Sequence, residues 1–284
     1  MASIRAVRHR IKSIRNIAKI TRAMEMIAAS RMKRAQERGL AGRAYSEKIQ
    51  QVIADLAALP EVGLHPLLQR RPVAKIAIVL ITPDRGLCGG LNANINRLTA
   101  SFILEQNAPV TLIAVGRKGR DFMRRYECGI CAEFTQIGDQ PSLLDTMPIS
   151  HIIIDDYSNG AVDLVYLVYT KFVSTIVQKP VIQQLLPVEP AIIPMAQNVE
   201  YIYEPGPKAV LGELLPRFVE MQVYHAILEA IASEHSARMV AMRNATDNAN
   251  ELIGDLTLVY NKARQESITT ELLDIAGGAA ALVE

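Results

Sequence analysis

Residues 4–32 read IRAVRHRIKSIRNIAKITRAMEMIAASRM, and their spacing decides the fold. Steps of alternately three and four residues from Ile4 land on Val7, Ile11, Ile14, Ala18, Thr21, Glu25, Ala28, Met32, Ala35, Gly39, Gly42, Ser46, Ile49, Ile53 and Leu56. Most of these positions are apolar, which is the seam of a coiled-coil helix. Beside its weak middle lies a second stripe, Ile17, Ile20, Met24 and Ile27. The apolar face therefore drifts round the helix, as it does when a straight α-helix departs from a heptad repeat. No proline interrupts residues 1–59, and Ala, Arg, Lys, Met and Gln favour helix throughout. Such a helix spans about 88 Å, more than a compact domain of this size needs. Pro60 and His65-Pro66 end it.

The other end of the chain repeats the pattern. From Leu214 the same steps fall on Phe218, Met221, His225, Leu228, Ala232, His235, Met239, Met242, Thr246, Ala249, Ile253, Leu256, Tyr260, Ala263 and Ser267. Two seams of matching length predict an antiparallel pair built from the chain ends. Ala, Met and Gly along them favour close, adaptable packing over a rigid zipper.

Between the seams the period changes. Val73–Thr82 is β-branched, bounded by Pro72 and Pro83, and predicts a buried strand. A glycine-rich loop follows, then a helical pattern through Leu91, Ile95, Leu98 and Phe102. Val110–Val115 predicts a second strand and Asp121–Tyr126 a helix, an order that implies a parallel α/β sheet. His151–Ile154 reads either as a strand or as part of a short helix before Asn159-Gly160. Val162–Val173 and Pro180–Val188 predict two more strands, and prolines 187, 190, 194, 205 and 207 mark a linker. The expected domains are an N-terminal coiled-coil helix over 1–59, an α/β domain over 70–207 and a C-terminal coiled-coil helix over 208–284.

Composition narrows the function. Half of the 284 residues are hydrophobic, enough for a core, yet the longest unbroken aliphatic run is Ile76–Ile81, too short to span a bilayer. No secretory signal is expected, and three cysteines are too few for a disulfide framework, so a reducing compartment is expected. The net charge of +2 hides an asymmetry: residues 1–43 hold 12 Lys or Arg against Glu25 and Glu37. A basic segment on an otherwise acidic chain is suited to bind something acidic.

No catalytic constellation emerges. The loop Thr82-Pro83-Asp84-Arg85-Gly86-Leu87-Cys88-Gly89-Gly90 stands where a dinucleotide fold holds phosphate, but its glycine spacing is wrong and no Lys-Ser/Thr pair makes a P-loop. A turn that lets the following helix pack close to the sheet fits it better. Cys128 and Cys131 form a C-x-x-C pair without two further ligands for a zinc site, and they follow a helix where a redox pair opens one. Asp155-Asp156 is a weak metal signal. The five histidines are scattered; His225 and His235 fall on seam positions, where a hydrogen-bonded packing role is expected. No metal and no cofactor are predicted.

Four motifs in order nevertheless carry a resemblance. They are Arg10-Ile11-Lys12-Ser13-Ile14 with Lys19-Ile20-Thr21-Arg22-Ala23-Met24-Glu25-Met26, then Asp84-Arg85-Gly86-Leu87-Cys88-Gly89, then Ser233-Glu234-His235 with Arg238-Met239-Val240-Ala241-Met242, and last Ile268-Thr269-Thr270-Glu271-Leu272-Leu273-Asp274-Ile275-Ala276-Gly277-Gly278-Ala279. Together they resemble, from end to end, the γ subunits of F-type rotary ATP synthases. The resemblance implies an α/β fold with a long antiparallel coiled coil of the terminal helices round a central Rossmann-like domain. It implies a non-catalytic rotor shaft, one copy per complex, whose partners are the α and β subunits, the ε subunit and the c-subunit ring. Its expected place is the cytoplasmic face of a bacterial membrane, peripherally, as part of F1. On this resemblance Met24, Arg238, Gln265, Thr269 and Glu271 face the α/β ring, and Tyr201, Tyr203 and Glu204 belong to the foot on the c ring. The extra glycine at Gly277-Gly278 loosens the helix tip relative to alanine. The redox insertion of chloroplast relatives is not apparent, so no thiol switch is expected at Cys128 and Cys131.

Two other readings use the same features. A nucleotide-binding α/β enzyme needs phosphate at the 82–91 loop. A nucleic-acid-binding coiled coil uses the basic arm, but residues 1–43 lack aromatic stacking groups, holding no Phe, Tyr or Trp.

Overall fold

The computed structural model describes residues 4–57, 65–126, 128–189 and 203–281, the side chains of 41–47, Ala57 and 277–281 excepted. Two compact units result: Met1–Ile27 with Met239–Glu284, and Ala28–Arg238. Helices α1 (Ile4–Ala57) and α5 (Pro207–Ala281) each contribute to both units.

In the first unit the predicted seam forms. Val7, Ile11, Ala18, Thr21 and Glu25 are the buried side chains of α1 here, and Met239, Met242, Thr246 and Ala249 those of α5. Thr21 meets Thr246 and Glu25 meets Arg243, so one helix runs down as the other runs up. Carried along the helices, this register sets Ile4 beside about residue 263, and α5 continues beyond it to Ala281. The second stripe does not join the seam: Ile17, Ile20 and Ile27 are 51%, 59% and 52% exposed. The seam beside them holds Thr21 and Glu25 instead, each with a partner across the pair.

The second unit is a five-stranded sheet between two helical layers. The strands are β1 (Ile76–Ile81), β2 (Val110–Val115), β3 (Ile130–Phe134), β4 (Leu164–Phe172) and β5 (Gln178–Leu186), in the order β3-β2-β1-β4-β5. All neighbours are parallel except β4 and β5. Central β1 is buried on both faces, which explains its unbroken aliphatic run. Ile76, Ile78 and Leu80 pack with Ile95 and Met123 from α2 (Leu91–Glu105) and α3 (Arg117–Arg125). Ala77, Val79 and Ile81 join Ile149, Ile153 and Tyr157 of α4 (Leu143–Ser158), Ile53 and Leu56 of α1, and a column on α5. That column, Leu211, Leu215, Val219, Val223, Ile227 and Ile231, recurs every fourth residue, so α5 turns one face to the sheet.

Two segments differ from the sequence reading. Residues 151–154 lie inside α4, whose start is set by a capping box between Ser142 and Asp145, while the helix carries Pro148 without ending. Strand β3 was not anticipated, because residues 128–131 read as a cysteine pair after a helix. Its alternation of half-buried Ile130, Ala132 and Phe134 with exposed Cys131 and Glu133 is that of an edge strand. The linker prolines 190 and 194 lie outside the described residues.

Candidate functional site

At the carboxyl ends of the parallel strands an α/β fold ordinarily leaves a crevice for a ligand. Here the chain fills it itself. Asp84, in the loop after β1, accepts hydrogen bonds from the backbone N–H of Arg117 (2.9 Å) and Gln136 (2.8 Å). Its carboxylate thus caps the first turn of α3, taking an N–H that a helix N-terminus would otherwise leave open. Gly116 (φ 94°) and Gly119 let that helix press on Thr82: a Cβ on Gly116 would stand 1.8 Å from the Thr82 carbonyl oxygen, and Gly119 N–H donates to Thr82 Oγ1 at 2.8 Å. The cavity that remains, lined by Thr82, Asp84, Gly116, Gln136 and Glu234 among others, holds about 50 Å³. That is room for a water and far below the few hundred Å3 of an ordinary ligand pocket.

Helix α5 closes the rest of the crevice. Ser233 Oγ donates to the Thr170 carbonyl at 2.9 Å and Ser236 Oγ to the Thr175 carbonyl at 2.7 Å. Gln178 Nε2 donates to Ser236 Oγ at 3.2 Å. Arg238, 9% exposed, sends Nη2 to the Gly86 carbonyl (3.2 Å) and to Glu234 Oε1 (2.5 Å), while Nη1 lies 3.2 Å from His235 Nδ1. The other ring nitrogen of His235 stands 3.2 Å from Asp139 Oδ1, and Asp139 is also paired with Arg31 of α1. Burial pulls the His235 pKa down to about 4, against the opposing pull of Asp139 and with help from Arg238 and Arg31. Burial also pushes the Glu234 carboxyl up, with Arg238 opposing. A hydrogen-bonded packing role for His235 was legible from its seam position; Asp139 and Arg31 gave no signal, since nothing in the sequence sets those two side by side.

The residues singled out in the sequence occupy different settings. Met24 is half-buried on α1, between Thr21 and Glu25 of the seam and the exposed Ile20 and Ile27. Arg238 is turned inward, as just described. Gln265, Thr269 and Glu271 are exposed on α5; Thr269 Oγ1 donates to the Gln265 carbonyl at 2.9 Å and Ser267 Oγ to Glu271 Oε1 at 3.3 Å. Tyr203 packs against the core cluster and Glu204 is exposed, whereas Tyr201 lies outside the described residues. Cys88 is buried, Cys128 half-buried and Cys131 exposed. Among the described residues no three His, Cys, Asp or Glu side chains gather as metal ligands, and no helix is long and apolar enough to cross a membrane.

What the first unit exposes is apolar surface. Met26 and Ile27 on α1 and Leu258, Leu272, Leu273 and Ile275 on α5 are all more than half exposed. The bases Arg5, Arg8, Arg10, Lys12, Arg15, Lys19 and Arg22 line α1 beside them, also exposed. Greasy and basic surface together on a helix pair fits a protein partner that is partly acidic.

Comparison with known proteins agrees with this picture of a binding subunit. A family model described as ATP synthase matches residues 3–282. The ATP synthase gamma chain of Dehalococcoides mccartyi is 70% identical, with 99% of this chain and all of the relative covered. That of a Roseiflexus species is 52% identical over the whole of both chains. Among solved structures, the central stalk and c ring of the Tetrahymena thermophila mitochondrial ATP synthase includes a chain with a TM-score of 0.64 and 26% identity, covering 80% of this chain and 99% of its own. A Euglena gracilis mitochondrial ATP synthase chain, at 19% identity, shares the fold with a TM-score of 0.69 over 99% of this chain and 94% of its own. The chain belongs to the gamma-chain family of the ATP synthases.

Proposed function

We propose that the chain is the central-stalk rotor subunit of an F1Fo ATP synthase, carrying torque between the membrane c ring and the catalytic ring of α and β subunits so that proton flow drives ATP synthesis. The observation that carries this reading is the apolar and basic surface of the paired helices, which a monomer in water would not keep. A catalytic ring that encloses the pair covers it. The exposed Met26 and the aliphatic side chains around it suit a bearing that must hold no single orientation too tightly, and charge attraction to acidic levers tolerates rotation. The nucleotide-enzyme reading loses its support where Asp84 and α5 fill the crevice.

Within this reading Met24, Gln265, Thr269 and Glu271 meet the α/β ring, and Arg238 acts there through the turn of α5 that it braces. Tyr201, Tyr203 and Glu204 form the foot on the c ring, and the ε subunit stands beside the sheet domain. The complex holds the chain peripherally at the cytoplasmic face of a bacterial membrane.

The test is purification of the tagged chain from its own cells. Recovery with α, β and ε subunits and ATPase activity, with proton pumping lost on deletion of residues 264–284, is the expected result. A chain recovered alone and active on a small substrate would overturn it.

A further inference from the structure

The apolar contacts that hold α5 to the sheet are non-directional: the column from Leu211 to Ile231 resists separation far better than it resists twist. Within the column the directional contacts are sparse, Tyr224 Oη to the Pro141 carbonyl at 3.4 Å and Glu220 to His151 at 3.7 Å, and they become dense where it ends. Between Ser233 and Arg238, α5 is hydrogen-bonded to the turn after β4 through Thr175, to the start of β5 through Gln178 and to the loop after β1 through Gly86. It is joined to the loop after β3 through Asp139. The same loop reaches α1, since Asp139 pairs with Arg31 and Gln140 Oε1 accepts from Arg38 Nη2 at 2.7 Å. All these residues belong to the second compact unit, and α1 and α5 pass out of it at Ala28 and Arg238.

We propose that His235 is the positioning residue of a polar clutch, in which its ring joins Arg238 of α5 to Asp139 of the β3–α4 loop and, through Asp139, to Arg31 of α1, so that torque crosses between the sheet and both helices there. The proposal rests on the rotor reading above.

The two ring nitrogens have opposite tasks. Arginine only donates, so Nδ1 accepts from Arg238; Asp139 only accepts when ionised, so Nε2 carries the proton. A neutral imidazole in this one tautomer suits both neighbours: Nδ1 lies 3.2 Å from Arg238 Nη1, while Nε2, buried without an aligned hydrogen bond, faces Asp139 Oδ1 at 3.2 Å, and at 1% exposure no bulk water replaces either. The groups facing it are Asp139 from the loop, Arg238 and Glu234 from its own helix and, behind Asp139, Arg31. Breaking the ring's bonds frees Arg238 to relax toward Glu234 alone, and the Gly86 loop loses its tie to the shaft.

The experiment uses the assembled, membrane-reconstituted complex and measures ATP hydrolysis and ATP-driven proton pumping together. His235→Leu, close in size and without polar atoms, is expected to keep hydrolysis near the wild-type rate and to lower protons pumped per ATP several-fold. His235→Gln, whose amide both accepts and donates, is expected to restore much of that ratio. Asp139→Ala, a partly exposed position that leaves the core intact, is expected to lower the ratio likewise, and adding it to His235→Leu is expected to lower it no further. Wild-type pumping per ATP in His235→Leu or, should that variant not assemble, in Asp139→Ala overturns the clutch. So does equal failure of His235→Leu and His235→Gln, which marks a purely packing role. A wild-type complex that hydrolyses ATP without pumping would fault the rotor reading instead, before any variant is compared.

Discussion

Arg243 Nε donates to Glu25 Oε1 at 2.9 Å across the helix pair, in a seam otherwise built of alanine, methionine, threonine and aliphatic side chains. Glu25 is 7% exposed, while Arg243 keeps more than half of its side chain in water. A carboxylate drawn so far into a seam fixes register, because sliding the helices by one turn would leave it facing a methyl group. Four residues away on α1, the Thr21 and Thr246 hydroxyls meet at 2.6 Å and mark the same register.

Arg243→Ala is therefore expected to destabilise the helix pair by about 1–2 kcal/mol, since Glu25 would keep only the more distant Arg22 at 3.5 Å. The double exchange Glu25→Arg with Arg243→Glu should recover part of that loss. Thermal unfolding of the four corners of this cycle measures it. Additive losses with no recovery would mean that the pair merely shares a surface.

His235 gives stability a defined pH dependence. Its pKa falls from 6.5 in the unfolded chain to about 4 in the folded one, because burial outweighs Asp139. Between those values the unfolded state binds the extra proton, so stability rises with pH by up to about 1.4 kcal/mol per unit and is lost as pH falls from 6.5 toward 4. Glu234, pushed up by burial, contributes with the opposite sign from pH 4.5 upward, in a window that overlaps that of His235. The difference in urea-unfolding free energy between wild type and His235→Gln isolates the imidazole: it should grow from pH 4 to pH 6.5 and then stay level.

The glycines before and within α3 are expected to behave unlike those of the loop after β1. Gly116→Ala meets both a positive φ and the Thr82 carbonyl, and should cost about 3 kcal/mol or more. Gly86→Ala meets nothing within 4 Å and should stay within about 0.5 kcal/mol of wild type. Urea denaturation of the two single variants separates them. Equal effects would place the strain elsewhere.

Much of this was readable in advance, and the reasons differ by element. The α1 seam was legible residue by residue, because coiled-coil burial is a periodic property of one helix and Val7, Ile11, Ala18, Ala28, Ala35, Ile49 and Ile53 all kept their places. Strand β1 was legible because a strand covered on both faces needs an unbroken aliphatic run. Edge strand β3 was not, since one paired side and a half-wet face leave five residues of weak alternation that the cysteine spacing obscured. Helix α4 was ambiguous for a similar reason: Ile152, Ile153 and Ile154 are β-branched, and only the capping box upstream at Ser142 and Asp145 tips the stretch to helix. The glycine loop was correctly read as structural, but not its agent. That Asp84 serves α3, thirty-three residues on, is a tertiary fact with no local signature.

Asp84 offers a test of why the crevice is closed. Asp84→Ala removes the acceptor of two backbone N–H groups and should cost about 1–3 kcal/mol. It also leaves the start of α3 open to solvent anions, so sulfate should raise the melting temperature of the variant more than that of wild type. An equal rise in both would mean that the carboxylate fills no anion position.

The tip of α5 carries the sharpest consequence for function. Ile268, Leu272, Leu273 and Ile275 are between 46% and 70% exposed on a helix that runs past the start of α1, so nothing in the described chain covers them. Alone in water they favour self-association; inside a catalytic ring they become bearing surface. Replacing Leu272 and Leu273 together by serine should therefore act in opposite directions on the two forms. The isolated chain should become more soluble, read as a shift from aggregate to monomer in sedimentation. The assembled complex should lose part of its pumping per ATP, because the apolar contact that keeps the tip centred is gone. Helix propensity does not account for both effects, since serine in exposed helix costs only about 0.5 kcal/mol relative to leucine. A soluble variant with unchanged pumping would mean that the tip is free within the ring and that the bearing lies lower, at Ile17, Ile20 and Ile27.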